Sequence, residues 1–148
     1  MSELTKKISS IIMALLVIMT LSVNTLVAYA SADSEFDYLF TIKASQAVSR
    51  YSDGHFRSTY NNNNAWKVNL EVSGEGDGTA TSFRLGLSDN SGGSEWHAVA
   101  QGSGDHYYSA TDAADWTTVY LQGKNNNNTT KSYTISGYWD EETGVSPN

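Results

Sequence analysis

At 148 residues and without a single cysteine, the chain has neither disulfide staples nor thiolate ligands for zinc, so its fold must be held by packing. Sixteen acidic residues against nine basic ones give a net charge of −7, with no lysine or arginine cluster. That balance argues against nucleic acid and anionic membrane surfaces, which select basic patches, and leaves sugars, proteins and cations as partners.

The first thirty residues read as a removable export signal. Lys6 and Lys7 make a basic n-region, Ile11 to Val23 an apolar stretch, and Ala28-Tyr29-Ala30 an A-x-A cleavage site. Ser22, Asn24 and Thr25 interrupt the apolar run before it reaches the roughly 20 residues a membrane span needs. The product expected is a secreted, extracellular chain beginning at Ser31, with no membrane span after cleavage. Loss of Lys6, Lys7 and Glu3 turns the net charge of −7 into −8. Residues 31–148 fit one domain and not two, with flexible ends expected over 31–35 and 142–148. Export without cysteine suggests a Gram-positive bacterial source.

Strand patterns then follow one another. Phe36, Tyr38, Phe40 and Ile42 alternate with Asp37, Leu39, Thr41 and Lys43, which predicts a first strand with its bulky set inward. Gln46 to Arg50 has no clean period and reads as an irregular connection, and Ser52-Asp53-Gly54 as a turn. His55 to Tyr60 is a second strand with Phe56 as its core contributor, and the asparagine run Asn61–Asn64 a loop. The cleanest pattern is Ala65 to Val72: Trp66, Val68, Leu70 and Val72 make one apolar face, and Lys67, Asn69 and Glu71 a polar one. After the glycine-rich connection Gly74–Gly78, a strand over Thr79–Leu87 carries Thr81, Phe83, Leu85 and Leu87 on one face. Short strands follow over Glu95–Gln101 and His106–Ala110, with a helical turn at Thr111–Asp115. Val119 and Leu121 are opposed to Trp116, Thr118 and Tyr120 in the next strand, and Tyr133 and Ile135 face inward in the last, Lys131–Trp139. About eight short strands with turn signals every eight to twelve residues predict an all-β fold, a single antiparallel β-sandwich or barrel-like domain.

Four tryptophans in so small a domain point two ways, because a flat aromatic face stacks on a pyranose ring and also fills a core. Trp66 and Trp116 are assigned to the core. Trp96, between Glu95 and His97, and Trp139, within Tyr138-Trp139-Asp140-Glu141-Glu142, are the surface candidates. With Tyr138, Tyr107 and Tyr108 they form the expected ligand-binding set.

No reaction is legible. A glycosidase needs two carboxylates across a cleft, one of raised pKa, but Glu71 lies on a polar strand face and Asp140-Glu141-Glu142 reads as a solvated tail end. His55, His97 and His106 lack ligand spacing for a metal. Glu75, Asp77, Asp89 and Asp105 sit in glycine-rich turns that could gather calcium, but they do not follow the EF-hand order. Gly102-Ser103-Gly104 imitates a nucleophile elbow with Gln101 where the first glycine belongs. Catalytic residues, metal ligands and cofactors are therefore left unassigned.

Four blocks together carry a resemblance: Phe40-Thr41-Ile42-Lys43, Trp66-Lys67-Val68-Asn69-Leu70, Gln101-Gly102-Ser103-Gly104-Asp105-His106-Tyr107-Tyr108 and Ser136-Gly137-Tyr138-Trp139-Asp140-Glu141-Glu142. The chain resembles a family of small secreted proteins of Bacillus-like Gram-positive bacteria, classed as a domain of unknown function. The resemblance implies secretion and a bacteriocin-like or accessory role, and brings no catalytic residues with it. The reading that follows is a secreted, non-enzymatic protein binding a cell-envelope component, an extracellular protein or a polysaccharide, and cell-wall associated. The alternatives are a carbohydrate-binding module using Trp96 and Trp139, and a small glycan hydrolase.

Overall fold

The computed structural model describes residues 34–60 and 63–148. The export signal expected over residues 1–30 lies outside them, as do Asn61 and Asn62 of the first asparagine run. Among the described residues the chain forms eight strands: β1 (Phe36–Ile42), β2 (Ser49–Arg57), β3 (Trp66–Ser73), β4 (Ala80–Gly86), β5 (His97–Ala100), β6 (His106–Tyr108), β7 (Thr117–Asn125) and β8 (Tyr133–Asp140). A 3-10 turn at Asp112–Ala114 precedes β7.

The strands pair antiparallel in two four-stranded sheets, β1-β8-β3-β6 and β2-β7-β4-β5. Only β4 and β5 follow one another within a sheet; every other connection crosses over. This is the strand order of a jelly roll, so the expected all-β sandwich is resolved to a double Greek key. Crossing between sheets lets each alternating strand place one face between the layers, where Trp66, Val68, Leu70, Phe83, Leu85, Val119, Leu121 and Trp139 are fully buried. Gly137 permits the close pairing of β8 with β3, since a Cβ there would lie 2.0 Å from the Asn69 carbonyl oxygen. Beside it the Tyr38 hydroxyl donates to that same oxygen at 2.8 Å.

Alternation held wherever a strand keeps its register, and failed at two bulges. In β3 the pairing slips between Leu70 and Val72, leaving Glu71 as the extra residue. Val72, expected inward, is therefore turned out and is 55% exposed, while Ser73 turns in. In β2 the pairing slips between Arg50 and Gly54, so Ser52-Asp53-Gly54 is a bulge inside a strand and not a turn between strands. Beyond it His55 and Arg57 take the inward positions, and Phe56, expected in the core, is 50% exposed. The polar face of β3 is also less open than expected, with Lys67 and Asn69 covered between β6 and β8.

Candidate functional site

The expected ligand-binding set does not assemble. Trp139 is fully buried, its ring edge-on to His55 at 5.3 Å, because β8 keeps its register and Trp139 falls on the same parity as Tyr133 and Ile135. Tyr108 lies on the core side of β6, stacked on His97 at 3.8 Å and packed on Trp66. Tyr107 and Tyr138 do come together, on the outer face of the first sheet, around Asp105. Its carboxylate accepts from the Tyr138 hydroxyl at 2.5 Å and from Asn69 at 2.9 Å. Burial alone would push Asp105 up; the bonds from Tyr138, Asn69 and Tyr107 and the nearby Lys67 charge outweigh it and hold the carboxyl below its usual range. Lys67, itself buried, is paired with Glu35 at 2.7 Å. These polar atoms largely satisfy one another. Trp96 is remote from them, on the second sheet.

A charged knot closes the end of the sandwich where β2 and β8 finish and β3 and β7 begin. Arg57, fully buried, donates to the carbonyls of Glu141 at 2.5 Å and Asn64 at 2.6 Å, and its Nε lies 4.0 Å from Asp115. Both Glu142 oxygens are held: Oε1 by the Ser58 hydroxyl at 2.6 Å, Oε2 by the Thr59 hydroxyl at 2.5 Å. Thr143 is tied to the backbone of Ala65 at both its amide and its hydroxyl. The segment Asp140-Glu141-Glu142 is thus no solvated tail end: all three are buried, because Arg57 inverts the usual cost of burying acids by drawing them in. Burial raises the Glu141 carboxyl to about 7, with Asp140 and Glu142 adding to the effect and Arg57 opposing it. Glu142 moves the other way: burial pushes it up, but the bonds from Ser58 and Thr59 and the Arg57 charge bring it below the usual range. Neighbouring carboxyls driven apart are an acid-base signature, but these two point into the protein.

Directly above the knot the surface turns aromatic. Trp116, expected in the core, is 50% exposed, stacked on Tyr60 with ring centroids 4.8 Å apart and 13° between planes. Phe56 meets it edge-on at 5.3 Å. The Trp116 backbone has φ +48°, the left-handed region that bulky residues avoid at about 1–2 kcal/mol. Its amide donates to the Thr59 carbonyl at 3.2 Å. A half-exposed tryptophan in a strained backbone is the kind of outlier that clusters at working sites.

The aromatic strip continues along the outer face of the second sheet. Tyr120 lies against Gly54, where any Cβ would sit 2.5 Å from its ring, and the Arg50 guanidinium lies over that ring, 4.5 Å from its centroid. Further along, Trp96 carries Arg84 and Lys124, each 4.5 Å from the ring centroid. From the Phe56–Thr118 pair to Lys124 is six residues of β7, about 20 Å of strand. No period in the sequence announces this strip; the signal was the outward set of β7, Thr118, Tyr120, Gln122 and Lys124, read against the bulge in β2.

Other chemistry is sparse among the described residues. Ser103 Oγ lies 2.7 Å from His106 Nε2, but its hydroxyl also reaches the Ala100 carbonyl at 2.6 Å, the bond of an ordinary turn. At the opposite end of the sandwich Gly74, Glu75, Thr129, Lys131, Ser132 and Tyr133 line a cavity of about 330 Å³. Among the described residues no three His, Asp or Glu side chains converge as a metal site would need, and Glu75, Asp77, Asp89 and Asp105 stay apart.

With this geometry in place, the chain belongs to the family described as Protein of unknown function (DUF2712), whose model matches residues 24–143 and so spans all eight strands. No curated protein and no solved structure matches it.

Proposed function

We propose that this chain is a secreted, non-enzymatic binding protein of the bacterial cell envelope, and that it holds glycan chains by stacking sugar rings on the aromatic strip of its second sheet. The observation that carries the reading is Trp116: half exposed, backbone-strained, and braced between Tyr60 and Phe56. Flat rings fixed in advance lose little freedom on binding, which is how a shallow face gains affinity. The knot beneath supports this, because Arg57 and Glu142 fix the loops that carry Tyr60 and Trp116 from below. The jelly-roll fold is neutral on the point, since it hosts many functions.

The full-length chain should co-sediment with isolated Gram-positive cell walls and be released by soluble wall sugars. Trp116→Ala should weaken that binding by about five- to 150-fold, the ~1–3 kcal/mol that ring stacking contributes at other aromatic platforms, with far-ultraviolet dichroism unchanged. Wall binding that sugars do not displace and Trp116→Ala does not alter would point to a protein partner and sink the reading.

A further inference from the structure

An acidic protein is a poor starting point for an anion-binding surface, yet the fold sorts its charges by sheet. Of the seven lysines and arginines beyond the expected export signal, Arg57 and Lys67 are buried and ion-paired, and Lys43 and Lys131 lie outside the strands. The remaining three, Arg50, Arg84 and Lys124, all stand on the outer face of the second sheet. The four strands of that sheet contain a single carboxylate, Asp53, in the bulge. The first sheet by contrast carries Asp37, Glu71 and Asp140 in its strands, with Glu35 and Asp105 at their ends.

These three cations are held without being neutralised. Arg50 donates to the Ser88 carbonyl at 3.2 Å; Arg84 donates to Gln122 at 2.8 Å and to the Asn90 carbonyl at 3.2 Å. All those acceptors are uncharged. The ion pairs of Arg57 with Asp115 and Lys67 with Glu35 lie elsewhere, and among the described residues Arg50, Arg84 and Lys124 have no carboxylate within pairing distance, although Glu95 is near enough for Arg84 to feel. Each instead lies over an aromatic ring, Tyr120 or Trp96, that fixes its direction and lets its charge face outward.

We infer that the glycan held by this face is anionic: a polymer whose rings bear carboxylates or phosphates, with rings on the exposed Trp116 and Tyr60 end of the strip and acid groups at Arg50, Arg84 and Lys124. This rests on the reading of the strip as a glycan-binding face and adds the charge of the chain it takes. Charge complementarity is the argument, since rings alone would serve a neutral sugar and would not need three cations without carboxylate partners.

The test uses the full-length chain in affinity electrophoresis against polygalacturonate for the carboxylate, inorganic polyphosphate for phosphate without rings, laminarin for neutral rings, and single-stranded DNA. Polygalacturonate should bind best, with log affinity falling linearly as log salt rises. Lys124→Ala and Arg50→Ala should each weaken it about fivefold and lower the salt slope by about one, as loss of one phosphate contact does for nucleic acids. Lys43→Ala, off the face, should do neither, and Lys124→Arg should restore binding. Strong laminarin binding that Trp116→Ala abolishes while Lys124→Ala and Arg50→Ala leave it unchanged would overturn the anionic inference and spare the glycan reading. Polyphosphate or DNA binding as tight as polygalacturonate, and indifferent to Trp116→Ala, would overturn both in favour of a general polyanion face. No binding to any of the four would reject the inference together with the glycan reading.

Discussion

Glu141 is a buried carboxyl whose ionisation its surroundings oppose, and replacing it with glutamine should change how stability depends on pH. The side chain is 7% exposed, and burial, reinforced by Asp140 and Glu142 and opposed by Arg57, raises its carboxyl from 4.5 to about 7. Between those values the folded protein keeps a proton that the unfolded chain has released. The folded state then binds more protons, so this group makes stability fall as pH rises through that window and level off above it. At 1.36 kcal/mol for each tenfold change in proton affinity, the gap from 4.5 to about 7 corresponds to about 3 kcal/mol, and partial screening by solvent brings the expected effect to about 1–3 kcal/mol. Burial lowers His55 and His97, which work with the opposite sign below their ordinary 6.5, so the raw curve mixes the terms. The difference between wild type and Glu141→Gln isolates this one. Urea unfolding at pH 5 and pH 8 should show the glutamine variant gaining 1–3 kcal/mol on wild type across that interval. A difference that stays constant with pH would refute the buried, protonated carboxyl.

The strain at Trp116 has its own test. Trp116→Gly should be more stable than Trp116→Ala by about 1 kcal/mol, the reverse of the usual order, because only glycine accepts φ +48° freely; alanine equal or better would deny the strain. Val68→Asp would bury an unpaired charge between the sheets and should abolish the cooperative melting transition, whereas a near-native melting temperature would place Val68 outside the core. Arg57→Leu strands Glu142 and Asp115 without their cation and should cost about 3–5 kcal/mol, with accelerated amide exchange at Thr143. A loss below 1 kcal/mol would show the knot to be dispensable.

Much of the sandwich was legible, and the failures share a cause. Alternation in β1, β4, β7 and β8 reports directly which residues face inward, because each strand keeps one face between the sheets and holds its register. Parity is only as good as the register behind it. One extra residue at Glu71 exposes Val72, and the slip before Gly54 exchanges Phe56 for Arg57, with no mark in the local pattern that separates a bulge from a turn. The tryptophans went astray for a related reason. Trp139 shares parity with Tyr133 and Ile135, so its burial followed from the pattern of β8, but the acids after it suggested a surface end. Those acids are buried by Arg57, a partner 84 residues away in sequence from the Glu141 carbonyl it binds. Trp116 lies one residue before β7, where its left-handed backbone turns the side chain out of the alternation.

The same dependence on parity explains why net charge misled. A total of −7 counts Asp37 and Lys124 alike, but the jelly roll places them on opposite outer faces, since β1 and β7 belong to different sheets. Of the seven basic residues outside the expected export signal, two go into the protein's interior and three to one surface, while the carboxylates, Asp53 in the β2 bulge apart, go to turns, to the knot and to the other sheet. Aromatic rings on the second sheet then hold those cations in place: Arg50 rests on Tyr120, and Arg84 and Lys124 on Trp96. At physiological ionic strength fields fade within about 8 Å, so a bound chain responds to the charges on the face it touches and only weakly to the total. An acidic composition therefore excludes long-range attraction to polyanions and leaves contact with them open, and what this sheet offers for such contact is rings and cations.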